Sequence, residues 1–123
     1  MRAPFLPRLR TTRQEEGSRG EDAALLHLRQ HGLQLVERNF LCKGGEIDLI
    51  MQDGATLVFV EVRKRARRDF GGAAASVTPA KQRRLIGAAQ IFLQRYRQPP
   101  PCRFDVVAID GDVLEWLRNA IET

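Results

Sequence analysis

Three carboxylates and one arginine are spaced so that a single β-hairpin would bring them together. Two segments rich in β-forming residues flank Asp53-Gly54, and this dipeptide between such segments predicts a hairpin turn. With a two- or four-residue loop centred there, paired positions sum to 107, so that Glu46 faces Glu61 and Asp48 faces Phe59. Alternation along the strands then places four charged side chains on one face: Glu46, Asp48, Glu61 and Arg63. The other face is apolar throughout: Ile47, Leu49, Met51, Val58, Val60 and Val62.

The clustered carboxylates predict a divalent-metal site. Like charges that lie opposite each other destabilise a sheet, and a divalent cation would offset that repulsion. Phosphodiester hydrolysis with Mg2+ or Mn2+ needs carboxylate oxygens on the metal ion and a cation close to the attacked phosphate. Asp48, diagonal to Glu61, and Arg63, two residues after Glu61, supply such a set, with Glu46 beside it. The alternative is a solvated face on which Glu46 or Glu61 pairs with Arg63 or Arg65, at little gain per pair.

Positive charge is concentrated in one part of the chain. The net charge is +5, but the stretch from Arg63 to Phe104 holds eleven Lys/Arg and one acid, Asp69, whereas the remainder holds nine basic and fourteen acidic residues. Such segregation suggests a polyanionic partner, nucleic acid first. The alternative is an arginine-rich, solvated surface. The cations predicted to contact nucleic acid follow the hairpin or begin the next helix: Lys64, Arg65, Arg67, Arg68, Lys81, Arg83 and Arg84.

Three of these cations lie in the first turns of a helix that begins at Thr78-Pro79, with Thr as N-cap and Pro at the first helical position. Cations are unfavourable there, because the helix N-terminus already carries partial positive charge. Lys81, Arg83 and Arg84 therefore favour a docked anion such as phosphate. The alternative is that Arg and Lys are simply good helix formers in solvent.

The predicted elements follow the order α-β-β-β-α-β-(β). They are a helix at about 18–31, a strand at 33–40, the hairpin at 45–65, a helix from Pro79 to about Arg97, a strand at 102–109 and a short edge strand at 113–117. A helix between two strands implies a crossover, so we expect an α/β fold with a mixed sheet flanked by helices. Residues 1–16 are predicted to be a disordered basic arm, and residues 17–123 a single domain. The segment 70–76 is predicted to be a flexible loop.

Glu21 and two histidines lie on the first predicted helix. Ser18-x-x-Glu21 fits a capping box, and Glu21 lies at the edge of the apolar stripe that contains Leu25. Glu21 is therefore either a cap acid or, if this helix packs beside the hairpin, part of the carboxylate cluster. His27 and His31 have the i,i+4 spacing of zinc-binding helices, but no HExxH pattern or third ligand accompanies them, so no zinc site is predicted.

The composition predicts a cytoplasmic protein. No run of about 18 apolar residues is present, and the first ten residues have no apolar core of a signal peptide. The two cysteines, Cys42 and Cys102, have no metal-ligand spacing and are expected to be reduced thiols.

Several segments, in order and at matching spacing, resemble the YraN family. They are Gly20-Glu21, Asn39-Phe40, Gly45-Glu46-Ile47-Asp48-Leu49-Ile50, Val58-Phe59-Val60-Glu61-Val62-Arg63, Lys81 and Arg103-Phe104-Asp105-Val106-Val107. The resemblance covers about residues 17–118. That family is a widespread bacterial group with a restriction-endonuclease-like fold, related to archaeal Holliday-junction resolvases and other PD-(D/E)xK nucleases. It implies a three-layer fold with a central mixed sheet of four or five strands between helices.

The resemblance also implies roles for individual residues. Asp48 and Glu61 would be ligands of Mg2+ or Mn2+, Glu21 a supporting acid, and Lys81 a second-helix residue near the site. Arg63 departs from the pattern, because family members usually have lysine there. A lysine can shift its pKa and take part in proton transfer, whereas a guanidinium stays protonated.

Together these features predict a DNA-binding protein with a nuclease-type metal site, a Mg2+- or Mn2+-dependent endonuclease acting on branched or processed DNA. The alternative is a catalytically inactive DNA-binding or adaptor module, which Arg63 favours, and a third is a protein-binding module. The relation to resolvases implies a homodimer by analogy, although nothing in the residues demands one.

Overall fold

The computed structural model describes residues 12–65 and 77–121, with side chains described from Arg19 to Lys64 and from Val77 to Ile121. The elements are α1 (Thr12–Gln30), β1 (Gln34–Cys42), β2 (Gly45–Asp53), β3 (Thr56–Arg65), α2 (Pro79–Leu93), β4 (Cys102–Asp110) and β5 (Val113–Leu117). This order confirms the predicted succession of helices and strands. The predicted loop at 70–76 and residues 1–11 of the predicted arm lie outside the described residues.

The five strands form one sheet in the order β1-β2-β3-β4-β5. Strand β3 pairs with β4 in parallel, and the other neighbours are antiparallel. The parallel pair requires a crossover, which contains α2 and brings the chain from the end of β3 back to the start of β4. The mixed sheet expected from the sequence is therefore confirmed.

Each face of the sheet buries its own apolar cluster beneath one helix. Ala24, Leu25 and Leu28 of α1 pack on the residues of one face. Leu85, Ala89 and Phe92 of α2 pack on those of the other. Helix, sheet and helix thus form three layers, as the predicted restriction-endonuclease-like architecture requires.

The first helix begins earlier than predicted. It starts at Thr12 rather than near Ser18, so residues 12–16 of the predicted disordered arm are helical. Gln14, Glu15 and Glu16 are good helix formers, and an interior glycine such as Gly17 costs a helix only about 1 kcal/mol. The capping-box interpretation of Ser18 is therefore wrong. For α2, the cap is confirmed, because Thr78 Oγ1 accepts a hydrogen bond from the Lys81 N–H at 3.2 Å; the helix ends at Leu93 instead of Arg97.

The hairpin register differs from the predicted one by two residues. The last pair before the turn is Asp53 with Thr56, so paired positions sum to 109 rather than 107. Gly54 has a φ of +59°, which glycine adopts without strain at the first position of a two-residue loop. Because the shift is even, it leaves the faces of β3 unchanged and moves Asp48 to the position across from Glu61 instead of Phe59.

One residue of the predicted apolar face lies on the other side of the sheet. Leu49, Met51, Val58, Val60 and Val62 pack on the α1 side as expected. Ile47, in contrast, packs in the α2 cluster, so the alternation along β2 is interrupted between Ile47 and Leu49. A prediction that assumes a regular strand could not place this residue.

Candidate functional site

Asp48 lies where β2 and β3 separate. Their paired residues end at Leu49 and Val60, while β3 continues beside β4. Just beyond that point, the Val62 backbone N–H donates to Asp48 Oδ2 at 2.8 Å. The Asp48 carboxylate thus accepts the hydrogen bond that a backbone carbonyl of a paired strand would otherwise accept from Val62. This bond fixes the position of the carboxylate in the gap between β2 and β3.

A cavity of about 290 Å³ opens at this gap. It is lined by acidic and basic side chains from three elements: Glu46 and Asp48 of β2, Glu61 and Arg63 of β3, and Lys81 and Arg84 of α2, with Gly45, Val62 and Leu85 completing the wall. The hairpin and the start of α2, which the sequence suggested separately, therefore meet at one place.

The two central carboxylates are held in a poorly solvated position. Burial, and then the nearby Glu61 carboxylate, raise the pKa of Asp48 to about 8, against the hydrogen bond from Val62. Burial also raises the pKa of Glu61, and the Arg63 guanidinium opposes that rise. Arg63 Nη1 lies 3.4 Å from Glu61 Oε1. The Lys81 charge also lowers the pKa of Glu61, yet burial still outweighs these cations and both carboxyls keep a raised pKa.

Helix α2 approaches the site closely because Gly45 has no side chain. A Cβ added at Gly45 would lie 2.9 Å from the Arg84 carbonyl oxygen. This contact brings Lys81 and Arg84 to the cavity wall, while Arg83 is exposed and lines no part of it. Burial, and then the Arg63 charge, lower the pKa of Lys81. The cations of this helix are therefore crowded around the carboxylates.

Glu21 of α1 lies beside the site and outside the cavity wall. Its Oε1 is 3.3 Å from Arg38 Nε, and Arg38 Nη2 lies 2.6 Å from Asp22 Oδ1. Burial raises the pKa of Glu21, and Arg38 and then Asn39 lower it. Glu21 is near enough for its charge to raise the pKa of Asp48. It is not a cap acid, because α1 begins nine residues before it, at Thr12.

The remaining predicted cations fall in different places. Lys64 lies on the α1 side of the sheet, where its side chain packs against Gly20 and away from the cavity. The side chain of Arg65, and all of Arg67 and Arg68, lie outside the described residues. Their assignment to nucleic-acid binding stays a prediction.

The donor set suits a metal ion that keeps much of its water. Mg2+ is commonly held by one or two carboxylates together with water and substrate oxygens, and Asp48 and Glu61 are two such carboxylates. Within residues 19–64 and 77–121, no group of three or more His, Cys, Asp or Glu side chains is arranged to hold a metal ion. An all-protein cage is thus absent from the described side chains, and Asp48 and Glu61 are the residues that would hold Mg2+ or Mn2+.

The two histidines pack against an aromatic residue. Their ring centroids are 4.4 Å apart, and both rings meet Trp116 edge-on. His31 Nδ1 lies 2.8 Å from the His27 carbonyl oxygen. Both rings therefore serve as packing contacts between β5 and the C-terminal end of α1, with His31 just beyond the last helical residue.

Two polar residues lie in segments of the family resemblance, but sequence reasoning assigned neither of them a role. Asn39 of β1 has a φ of +56°, although it lies within a strand, and Asn tolerates this conformation better than most residues. Asp105 is fully buried and accepts hydrogen bonds from Arg103 Nε, Trp116 Nε1 and the Asn119 N–H. Arg103 also reaches Asp53 at 2.8 Å, so this network joins β4 and β5 to the hairpin turn.

The fold defines the class: a three-layer α/β protein with a mixed sheet between two helices and two carboxylates where β2 and β3 separate. Comparison with known proteins identifies the family. The model of the uncharacterised protein family UPF0102, the YraN family, matches residues 20–109, and the chain belongs to that family. A UPF0102 protein of Herminiimonas arsenicoxydans is 68% identical over 124 residues, covering all of both chains. One from Janthinobacterium sp. (strain Marseille) is 66% identical and covers 99% of each. One from Cupriavidus taiwanensis is 60% identical and covers 90% of this chain and 86% of its own.

In the part of the chain described, no helix is long and apolar enough to span a bilayer.

Proposed function

We propose that the protein is a metal-dependent DNA endonuclease whose site is built on Asp48 and Glu61. The observation that carries the proposal is the pair of half-buried carboxylates at the strand divergence, in a cavity whose other charged side chains are mostly cations. Mg2+ or Mn2+ held there would act as a Lewis acid on a phosphodiester and supply an activated water.

The protein's own residues would orient the substrate phosphate. Arg63 is already paired with Glu61 and stays protonated, so it would stabilise charge on the attacked phosphate rather than move a proton. Lys81 and Arg84 come from the first turns of α2, whose N-terminal N–H groups favour anions. They would hold the phosphate that flanks the cleaved bond.

DNA is the substrate class that the charge distribution favours. Three of the eleven basic residues between Arg63 and Phe104 line the cavity, and they exceed what one bound phosphate requires: Arg63, Lys81 and Arg84. A continuous backbone of phosphates would match them. The choice of branched or processed DNA follows from the resemblance to resolvases, and a homodimer would present two such sites.

A cleavage assay tests this function. Labelled duplex, single-stranded and four-way-junction DNA are each incubated with Mn2+ and one of three proteins: the wild type, the Asp48→Asn variant or the Asp112→Asn variant. Asp112 lies in an exposed turn, so its variant is the matched control. We expect at least one substrate to be cut by the wild type and by D112N, and not by D48N. Equal cutting by D48N would show that a different site, or a contaminant, does the chemistry.

A second function is favoured by Arg63 itself. A lysine at this position could take part in proton transfer, whereas Arg63 stays protonated and forms an ion pair with Glu61. A site without that proton transfer could bind DNA without cutting it. This alternative predicts salt-sensitive DNA binding that needs no metal, and no cleavage by the wild type. An R63K variant that cuts where the wild type does not would support it.

A further inference from the structure

Asn39 has an unusual backbone conformation for its place in the fold. It lies within β1, yet its φ of +56° is in the left-handed region. Of the described non-glycine residues, only Asn39 and Asn119 have a positive φ. For most L-residues this conformation costs about 1–2 kcal/mol, so a strand does not adopt it without a reason.

The chain changes faces at this residue. In a regular strand, residues two apart share a face. Arg38, however, pairs with Glu21 on the α1 side, whereas Phe40 meets the ring of Phe92 on the α2 side. The reversal between Arg38 and Phe40 therefore occurs at Asn39.

The neighbouring strand reverses at the matching position. Arg38 is paired with Leu49, which lies in the α1 cluster, and Phe40 is paired with Ile47, which lies in the α2 cluster. The residue between Ile47 and Leu49 is Asp48. The two strands thus reverse together, and the position that faces Asn39 is the one that holds the central carboxylate.

This reversal coincides with the opening between β2 and β3. Regular pairing of β2 with β3 ends at Leu49, and the next residue toward the site, Asp48, accepts the Val62 N–H. The Asn39 side chain is exposed, and its one described link to the cluster is a hydrogen bond to the Glu21 carboxylate. The position of Asp48 is connected to Asn39 through the backbone, because the reversal of both strands occurs at this pair of positions.

We propose that Asn39 is a positioning residue of the carboxylate site: its left-handed backbone reverses β1 and β2 together and thereby sets Asp48 against Glu61 and Val62. The inference deepens the proposed function and rests on it for the metal that these carboxylates would hold. It assigns a role in the site to a strand that contributes no side chain to the cavity wall.

Four variants separate the backbone from the side chain. Gly and Asp tolerate a positive φ, whereas Ala and Val do so at increasing cost. The first readout is hydrogen exchange of the Val62 amide, which reports the bond to Asp48. The control is the Leu57 amide of the same strand, which donates to the Pro101 carbonyl at 2.8 Å at the far end. The second readout is Mn2+ affinity.

We expect Asn39→Gly and Asn39→Asp to leave exchange of the Val62 amide unchanged within a few-fold. Asn39→Ala and Asn39→Val should speed it by about tenfold or more while Leu57 stays protected. Mn2+ affinity should fall from the glycine to the alanine to the valine variant. The aspartate variant adds a carboxylate beside Glu21, so for it only the Val62 exchange is compared. If the valine variant fails to fold, the alanine variant decides.

Three results would overturn the inference. The first is unchanged Val62 exchange in N39A. The second is an increase in Val62 exchange in N39G and N39D as large as that in N39A. The third is a parallel increase at Leu57 and Val62, which would indicate general destabilisation only. If the wild type binds no Mn2+, the proposed function fails, and the Val62 amide still decides whether Asn39 positions Asp48.

Discussion

At the level of single residues, the pH dependence of stability follows from the raised pKa of Asp48. In the unfolded chain this carboxyl ionises near its ordinary pKa of about 4, whereas in the folded protein its pKa is about 8. Between those values the folded state holds a proton that the unfolded chain has released. Its stabilising contribution is therefore complete below about pH 4 and is lost as the pH rises toward 8.

Replacing Asp48 by Asn should remove this dependence. Without added metal, the free energy of unfolding of the wild type should fall between pH 5 and 8 by up to about 1.4 kcal/mol per pH unit, and that of D48N should fall less. At pH 8 the variant should be at least as stable as the wild type, since the amide oxygen can still accept the Val62 N–H. Urea unfolding at several pH values measures this. Parallel curves for the two proteins would contradict the raised pKa.

Arg63 is expected to act through charge. If it stabilises the attacked phosphate, Arg63→Ala should lower the rate of Mn2+-dependent cleavage by about 10²-fold with little change in DNA affinity. Arg63→Lys should retain most of the rate, because a lysine keeps the charge beside Glu61. Single-turnover cleavage with saturating protein gives these rates. A lysine variant as slow as the alanine variant would show that the guanidinium geometry, rather than its charge, is required.

At the level of elements, the distance between α2 and the hairpin depends on Gly45. Gly45→Ala would place a methyl group 2.9 Å from the Arg84 carbonyl oxygen, which only a backbone shift can relieve. We expect a loss of about 1–3 kcal/mol in the free energy of unfolding, together with weaker anion binding as Lys81 and Arg84 move.

Gly44→Ala is the matched control for this substitution. Nothing lies within 4 Å of a Cβ added at Gly44, so its effect should stay within about 0.5 kcal/mol. Chemical denaturation of both variants makes the comparison. Equal stability of G45A and G44A would mean that α2 does not pack against Gly45 as described.

The elements also show what sequence could and could not predict. The hairpin, the N-cap at Thr78 and the crossover helix follow from turn residues, capping residues and periodicity, all of which are local signals. The register and the reversal at Asn39 do not, because they depend on how β1, β2 and β3 pack together. Alternation brought Asp48 and Glu61 to one face, but only the two-residue shift in register places them opposite each other.

At the scale of the whole molecule, the basic residues should make DNA binding depend on salt. Lys81 and Arg84 line the cavity, whereas Arg29, near the end of α1, and Arg97, four residues beyond the end of α2, are exposed. The double variant K81A/R84A should lower the slope of log affinity against log salt by about two units, one for each lost phosphate contact. The control R29A/R97A should lower it by less than one.

Fluorescence anisotropy with a labelled duplex over a range of salt concentrations measures both slopes. Equal losses in the two double variants would place the DNA contact outside the cavity. The homodimer inferred by analogy with resolvases stays a prediction, as do the roles of Arg65, Arg67 and Arg68.

Binding of Mn2+ between Asp48 and Glu61 is the central claim, and anomalous diffraction from a Mn2+-soaked crystal tests it most directly. We predict an anomalous peak within bonding distance of both carboxylates in the wild type and none in a D48N crystal soaked in the same way. A wild-type crystal with both carboxylates ordered and no peak between them, or an undiminished peak in D48N, would contradict the account.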